Sequence, residues 1–220
     1  MQVRIPILLH VPRRSFSWGR VATIAVVHLL VVVTLFCQAL AQEAVVSREY
    51  AIKAGVIAVL GKCVTWPADA APAPGEPLSI GILGKDPFVE NGVNQLDRMV
   101  AEQKRKGIPI VVKRFNSAKD YQPCHILFVA NQAADGSEEK SLAARLDAAQ
   151  QVAGKSTVLV VGESADVARQ GAVANLMFDR ATNLIRLEIN PDAAARAGLK
   201  LAPDLLRMKL VQIVRDSQTR

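Results

Sequence analysis

Apolar side chains recur three or four positions apart in several segments of residues 42–220. This spacing places them on one face of an α-helix. The predicted helices are 47–62, 93–100, 138–152, 165–170, 191–197 and 203–214. The last two begin with a proline, which is favoured in the first turn of a helix.

Short apolar runs lie between these helices. Unbroken runs of this length are typical of strands buried on both faces of a sheet. The predicted strands are 78–83, 108–115, 124–130, 156–162, 173–178 and 184–189. The last two flank the loop 179–183, whose length suits an antiparallel hairpin. The pattern therefore predicts an α/β fold: a single-domain sandwich with a mixed sheet, helices on both faces and a C-terminal antiparallel hairpin.

The first 41 residues have a different pattern. Arginines up to Arg20 precede a long apolar stretch, and the small residues Ala39 and Ala41 end it. This order is typical of a secretory signal peptide that is cleaved after Ala41. We therefore expect a signal peptide in 1–41 and a folded periplasmic domain in 42–220.

Two alternatives concern export. The apolar stretch Val21–Ala41 is also long enough to span a bilayer, so an uncleaved anchor is the first alternative. Arg13-Arg14 resembles a twin-arginine signal, but Ser17 stands where an apolar residue is usual, which favours the Sec route. Each alternative leaves the folded domain outside the cytoplasm.

Composition and charge narrow the class of protein. The chain has 220 residues, of which 50% are hydrophobic and 21% charged, which argues against a disordered, collagen-like or multi-pass membrane protein. Four of the seven net positive charges belong to residues 1–41, which contain no acid. The small excess that is left does not indicate a nucleic-acid partner.

The cysteines leave two interpretations open. Cys37 lies in the expected signal peptide, so Cys63 and Cys124 are the two thiols of the folded domain. They could form a disulfide, which persists outside the cytoplasm and would contribute about 4 kcal/mol in the chain-entropy model. The alternative is two buried free thiols that pack as small hydrophobic groups.

Catalytic chemistry is weakly indicated. His125 is the one histidine outside residues 1–41, which argues against a histidine-rich metal site. In a strand Cys124 and His125 would point to opposite faces, so they are not expected to form a nucleophile pair, and His125 is expected to be a structural residue. Gly81–Lys85 lacks the glycine spacing of phosphate-binding loops and is expected to form a tight turn at the rim of the sheet. We predict a non-enzymatic protein with no cofactor and no metal.

Three residues are candidate contacts for a partner or ligand: Trp66, Lys85 and Phe88. Trp66 follows the first helix directly, so its expected role is to cap the core, with an exposed anchor as the alternative. The basic run 104–106 is expected to be a solvated helix end, because acidic residues nearby dilute its charge.

Several short elements occur in an order and spacing that resemble the YfiR family, over nearly all of residues 42–220. They are Trp66-Pro67, Gly84-Lys85-Asp86-Pro87-Phe88, Cys124-His125-Ile126-Leu127-Phe128, Arg186-Leu187-Glu188-Ile189-Asn190, Ala197-Gly198-Leu199 and Leu205-Leu206. The sequence departs from the family pattern at Gly171-Ala172, Ala174-Asn175 and Ala202-Pro203. Some members also have a cysteine at the position of Asn131, which puts their redox switch in doubt here.

The resemblance implies an exported α/β protein that binds the periplasmic part of a membrane diguanylate cyclase and holds it inactive, which lowers cyclic di-GMP. Membrane contact would come only through this partner or an uncleaved N-terminus, and a homodimer is compatible with the sequence. The alternative function is a periplasmic small-ligand-binding accessory protein for another receptor, such as a histidine kinase.

Overall fold

The structure is a computed structural model that describes His28 and residues 48–90, 92–107 and 109–217. The signal-peptide prediction, with Ala39 and Ala41, therefore lies outside the described residues. Residues 48–217 belong to one compact unit, Val45–Arg220. In the described ranges of the chain, no helix combines the length and apolar character needed to cross a membrane.

Strands and helices alternate along the chain. The helices are α1 (48–60), α2 (Gln95–Arg105), α3 (Leu142–Ala153), α4 (Pro191–Arg196) and α5 (Pro203–Leu206), with a 3-10 turn at Ala118–Asp120. The strands are β1 (Val64–Thr65), β2 (Leu78–Leu83), β3 (Val89–Glu90), β4 (Val93–Asn94), β5 (Ile110–Phe115), β6 (Ile126–Val129), β7 (Leu159–Gly162), β8 (Ala174–Asp179), β9 (Leu184–Ile189), β10 (Lys200–Leu201) and β11 (Val211–Ile213).

Seven of these strands form one mixed sheet in the order β11-β9-β8-β7-β6-β2-β5. Strands β2, β5, β6, β7 and β8 are parallel, β8 and β9 form the antiparallel hairpin, and β11 runs parallel to β9. The predicted α/β fold with a mixed sheet and a C-terminal antiparallel pair is confirmed. Two small pairs, β1-β10 and β3-β4, lie outside the main sheet.

Hydrophobic cores lie on the two faces of the main sheet. The larger core packs α1, α2, α4 and α5 against one face, with Ile57, Leu96 and Leu205 among its buried residues. The smaller core packs α3 against the other face through Leu146 and Ala149. The strands between them are buried on both sides, which explains their unbroken apolar runs.

Two predicted helices are wrong. Residues 165–170 form turns, because Asp166 adopts a left-handed backbone conformation (φ 63°) that a helix cannot contain. The predicted helix 203–214 stops after one turn at Leu206, and the chain then enters β11. β-Branched residues favour a strand there, and the Leu187 amide donates to the Leu210 carbonyl at 2.9 Å.

Element ends also differ from the predictions, because local caps define them. The side chain of Ser141 accepts a hydrogen bond from the Ala144 amide, so α3 starts at Leu142 rather than 138. Asn94 caps α2 in the same way through the Asp97 amide. The strands 124–130 and 156–162 are shorter than predicted, at Ile126–Val129 and Leu159–Gly162.

Gly81 marks the place where the smaller core approaches β2 most closely. A Cβ atom at this position would lie 2.7 Å from the Phe115 ring and 2.9 Å from the Cys124 Sγ atom. We expect Gly81→Ala to lower the free energy of unfolding by about 1–3 kcal/mol, because the ring and thiol must be displaced.

The control is Gly154→Ala at the end of α3, where a Cβ would lie at 3.4 Å or more from its neighbours and the backbone is helical. This change should alter stability by less than about 0.5 kcal/mol. Urea unfolding curves of the two variants measure the difference, and equal midpoints would show that the core relaxes around the extra methyl group.

Candidate functional site

The order of the strands creates a switch point between β2 and β6. The chain passes from β2 to β5 on one side and then returns to place β6 on the other side. In open α/β sheets, ligands commonly bind in the crevice that such a reversal leaves at the carboxyl ends of the strands. The loop residues at this position are Gly84 and Lys85 after β2, and Asn131 and Gln132 after β6.

The two loops close the crevice by direct backbone contact. The Lys85 amide donates to the Gln132 carbonyl at 2.9 Å. Gly84 has φ 104°, and a Cβ there would lie 2.6 Å from the Gln132 oxygen, so the turn requires glycine. Of the segment Gly81–Lys85, Gly81–Leu83 belong to β2 and Gly84-Lys85 form the tight turn, which contacts the loop after β6.

Arg145 of α3 binds the loop that follows β6. Its side chain is buried, and it donates to the carbonyls of Ala130 (3.0 Å), Glu139 (2.7 Å) and Lys140 (3.1 Å), as well as to that of Asn131. A guanidinium has only donors, so carbonyl oxygens from both ends of the loop 130–140 satisfy it. The side chain therefore ties this loop to α3 beside Gly84, where a Cβ would lie 3.3 Å from the Arg145 Cδ atom.

A buried charge cluster of Glu49, Tyr50, Lys53 and Glu163 lies beside this crevice. The Lys53 Nζ atom donates to Glu163 at 2.8 Å and to Glu49 at 2.5 Å, and it lies 4.7 Å from the centre of the Tyr50 ring. The side chains of Lys53 and Glu163 are almost fully buried. Burial, followed by the charge of Glu163, raises the pKa of Tyr50, so its hydroxyl stays protonated.

The cluster fastens α1 to the carboxyl end of β7. The second oxygen of Glu163 accepts from the Asn131 amide at 3.0 Å, so the same carboxylate also holds the loop after β6. Sequence analysis missed this pair because its members lie 110 positions apart. One local signal was present, since Lys53 stands at helical spacing from Tyr50 and Ile57 on the apolar face of α1.

Asn175 extends the polar layer into the hairpin. It is fully buried, and its amide nitrogen donates to the Ser164 carbonyl at 2.7 Å and to Glu188, its cross-strand partner on β9, at 2.8 Å. Its side-chain oxygen has no partner among the described residues. Asn175 thus connects the loop after β7 to β9.

His125 is hydrogen-bonded to Ser79 of β2 within the fold. The Ser79 amide donates to its Nδ1 atom at 3.0 Å, so the neutral ring carries its proton on Nε2. Burial and the nearby charge of Lys113 lower the pKa of His125. Its ring contacts Trp66 edge-on at 5.8 Å, whereas Cys124 packs in the smaller core on the other face. The expected opposite orientation of Cys124 and His125 is confirmed.

Both cysteines of the described residues are free thiols in the structure. Cys63 is half-buried against the larger core, and Cys124 is buried in the smaller core. The sheet lies between these cores, so this conformation corresponds to the free-thiol interpretation. Burial raises the pKa of Cys124 to about 11, which makes it a weak nucleophile at neutral pH.

Two candidate contacts belong to the core instead of the surface. Phe88 is completely buried, with its ring 5.7 Å from Tyr50 and 5.2 Å from Phe128, so it offers no surface to a partner in this conformation. Trp66 is 7% exposed and caps the larger core, as its preferred interpretation stated. Lys85 is exposed at the closed crevice.

Open grooves occur at the opposite edge of the sheet, at the amino ends of the parallel strands. One of about 750 Å³ lies between α3, α4 and the turn at Gln170-Gly171. A second of about 670 Å³ includes His125 and Lys155 and shares residues Ala153 and Arg196 with the first. Within the described part of the chain, no group of His, Cys, Asp or Glu side chains is arranged to hold a metal ion.

Removal of one member of the buried charge cluster should be costly. We expect Lys53→Met to lower the free energy of unfolding by about 3–5 kcal/mol, because it leaves Glu163 buried without its cation. The double variant Lys53→Met/Glu163→Gln should lose less than the sum of the single variants, since the pair is coupled. Urea unfolding measures all three.

The matched control is Lys106→Met, which breaks the exposed pair with Glu102. This variant should lose at most about 1 kcal/mol. If Lys53→Met cost no more than Lys106→Met, the proposed role of the buried pair would be wrong.

The two thiols should react at different rates. In a Cys37→Ser background, we expect Cys63 to react with Ellman's reagent at pH 8 well before Cys124, which is buried and about one part in a thousand thiolate at that pH. Cys63→Ser should remove the fast phase, and Cys124→Ser should leave it. Absence of reaction even in denaturant without reductant would show a disulfide.

Comparisons with known proteins give one family and two solved structures. The profile of the YfiR/HmsC-like family matches residues 50–209. A conserved domain protein from Vibrio cholerae O1 biovar El Tor is 18% identical with a TM-score of 0.41, over 61% of this chain and 55% of that chain. The ABC domain from Streptococcus pneumonia, in complex with L-Trp, is 11% identical with a TM-score of 0.45, over 76% and 60%.

The chain thus spans between 55% and 60% of the length of these two solved chains. No curated protein matches it. The family match extends from the first turn of α1 to just beyond α5 and includes the switch point, the hairpin and three members of the buried charge cluster, Tyr50, Lys53 and Glu163. The chain belongs to the YfiR/HmsC-like family, a family of periplasmic regulators of diguanylate cyclases.

Proposed function

We propose that the protein is an exported regulatory binding protein that restrains a membrane-bound diguanylate cyclase through the periplasmic sensor domain of the cyclase. Its effect is to lower cyclic di-GMP. The observation that carries this proposal is the family match over residues 50–209.

The closed switch point supports binding through an outer surface. The usual ligand crevice of this topology is closed by the protein's own loops, and Arg145 ties one of them to α3. The carboxyl end of the sheet therefore offers a rigid surface, held by the buried charge cluster and Arg145, rather than a cleft for a nucleotide.

Restraint follows from differential affinity. A binder shifts the equilibrium of its partner only as far as it prefers one state of that partner. To hold about 99% of a cyclase inactive when the two states are otherwise equal, the protein must prefer the inactive state about 100-fold, or by about 2.7 kcal/mol. A signal releases the cyclase by reducing this preference.

The groove of about 750 Å³ favours a second candidate function, binding of a small ligand on behalf of another membrane receptor such as a histidine kinase. Its volume lies in the range of known ligand sites, about 300–1,000 Å³. This second candidate predicts that a small molecule raises the thermal stability of the isolated protein in the absence of any membrane partner.

Cyclic di-GMP tests the first function. We expect deletion of the protein to raise cyclic di-GMP in the cell, because the cyclase partner is no longer held inactive, and re-expression to reverse the rise. The measurement is mass spectrometry of nucleotide extracts at matched abundance of the membrane cyclases.

The control is a strain that lacks the cyclase partner. In this strain, deletion or re-expression of the protein should leave cyclic di-GMP unchanged. An unchanged level in the single deletion would contradict cyclase restraint and favour the ligand-binding candidate. Lys106→Met, at an exposed ion pair that lies outside both grooves, provides a folded variant that should restore the normal level.

A further inference from the structure

Exposed apolar side chains are concentrated at one edge of the main sheet. Among the described residues, eight large hydrophobic side chains are exposed, and four of them lie at the start of β9 or in the segment that leads through β11. These four are 39% to 64% exposed: Leu184, Met208, Leu210 and Ile213. We call these four residues the C-terminal edge patch. They flank the edge on both faces of the sheet: Ile213 pairs with Ile189 on the face of the larger core, and Leu184 lies on the opposite face of β9. A further strand beside β11 would present alternate side chains to the two faces.

The strand beneath the patch has an open hydrogen-bonding edge. β11 is the border strand of the sheet as described, and among residues 48–90, 92–107 and 109–217 its pairing partner is β9. The carbonyl of Leu210 and the amide of Val214 bond to β9, at 2.9 Å each, so the amide groups of Val211 and Ile213 point to the other side. The Val211 N–H is used in a turn, which leaves its carbonyl and both groups of Ile213 for another strand.

Basic side chains accompany the patch. Lys209 and Arg186 are exposed and form no ion pair with the described residues, and Arg207 has only a long contact of 3.8 Å with the exposed Asp204. Hydrogen bonds from Ala181 and Thr182, followed by the charge of Arg186, lower the pKa of Asp179. Arg186 and Lys209 nevertheless keep their hydrogen-bonding groups exposed to an outside partner. Charge complementarity of this kind guides a partner and fixes its register.

The opposite edge strand, β5, differs from β11 in its exposed apolar side chains and in the contacts of its basic side chains. Of its side chains, Val111 is an exposed large hydrophobic one. Arg114 is held by Asp86 at 2.7 Å and by Asp97 at 2.8 Å, and Lys113 donates to the Pro123 carbonyl. Its basic groups are thus engaged within the molecule.

We propose that β11 is the docking edge for an extended segment of the cyclase sensor domain, which adds to the sheet as a further strand and carries acidic residues beside apolar ones. Backbone hydrogen bonds to Val211 and Ile213 supply the strand pairing, the C-terminal edge patch receives the apolar side chains, and Lys209 and Arg186 pair with the acids. This inference rests on the proposed function. The family match ends at residue 209, so β11 lies beyond the matched residues.

Two other occupants fit less well. A second copy of this chain would bring Lys209 and Arg186 close to the same basic residues, which repel each other. A membrane surface would leave the outward amide groups of Ile213 without hydrogen-bond partners in an apolar layer. A strand with acidic residues satisfies both the charges and the amide groups.

Site-specific photo-crosslinking tests the proposal in the bacterium that encodes the protein. The full chain carries p-benzoylphenylalanine at position 210 or 213, and at position 111 on β5 as the control. We expect a product at 210 and 213 that contains the periplasmic domain of a diguanylate cyclase, with an acidic residue in the cross-linked peptide, and no such product at 111.

Two variants sharpen the test. Ile213→Pro removes the outward amide proton and leaves the bonds to β9, and Lys209→Glu reverses one charge. With the crosslinker at position 210, each should reduce the product about tenfold, which corresponds to about 1.4 kcal/mol. Val112→Pro on β5, an edge residue whose amide also points outward, should not reduce it. Lys209→Glu stays informative if Ile213→Pro fails to fold.

Each outcome is decisive. A product with a second copy, with lipid or with a protein other than a cyclase overturns the proposed occupant. Absence of product at 210 and 213, while the protein still lowers cyclic di-GMP, overturns the edge proposal alone. If the unaltered protein does not lower cyclic di-GMP, the proposed function fails, and the cyclase assignment of the edge fails with it.

Discussion

Arg145 keeps the carboxyl end of the sheet closed, and the other features of this end are arranged around it. The guanidinium is buried without a carboxylate, and four backbone carbonyls receive its hydrogen bonds. A buried cation is tolerated only when such bonds replace its water shell. The loop 130–140 must therefore fold tightly over the switch point, and the topology that often creates a ligand cleft creates a solid surface here.

The buried charge cluster performs a related task for the first helix. Lys53 and Glu163 join α1 to β7, and Glu163 also holds the loop that Arg145 orders. A buried ion pair is weak evidence for stability, since its desolvation offsets much of its attraction. Its geometric requirement is strict, however. The cluster therefore fixes the position of α1 relative to the sheet more than it strengthens the packing.

Local patterns predicted the parts of the fold that depend on local preferences. The buried parallel strands have unbroken apolar runs, and Trp66 was expected to cap the core because it follows the predicted helix 47–62, so both were predictable. The segment 207–214 was not, because its apolar spacing also fits a helix, and its pairing with β9 decides for the strand. The contact of Lys53 with Glu163 joins positions 110 apart, so no local pattern predicts it. The bonds of Arg145 to the loop carbonyls span 5 to 15 positions, but they depend on how the irregular loop 130–140 folds. Phe88 stands in a loop by sequence, but that loop folds back onto Tyr50 and Phe128.

The position of β11 in the chain has a consequence for folding. It is the last of the described strands in chain order, yet it pairs with β9 and forms one border of the main sheet. A polypeptide that emerges with its N-terminus first can form the other six strands of this sheet before residues 211–213 arrive. Until then β9 forms the border, with different side chains and hydrogen-bonding groups. The finished surface at this border thus exists only after residues 211–213 have emerged, so shorter nascent chains present a different edge to any partner.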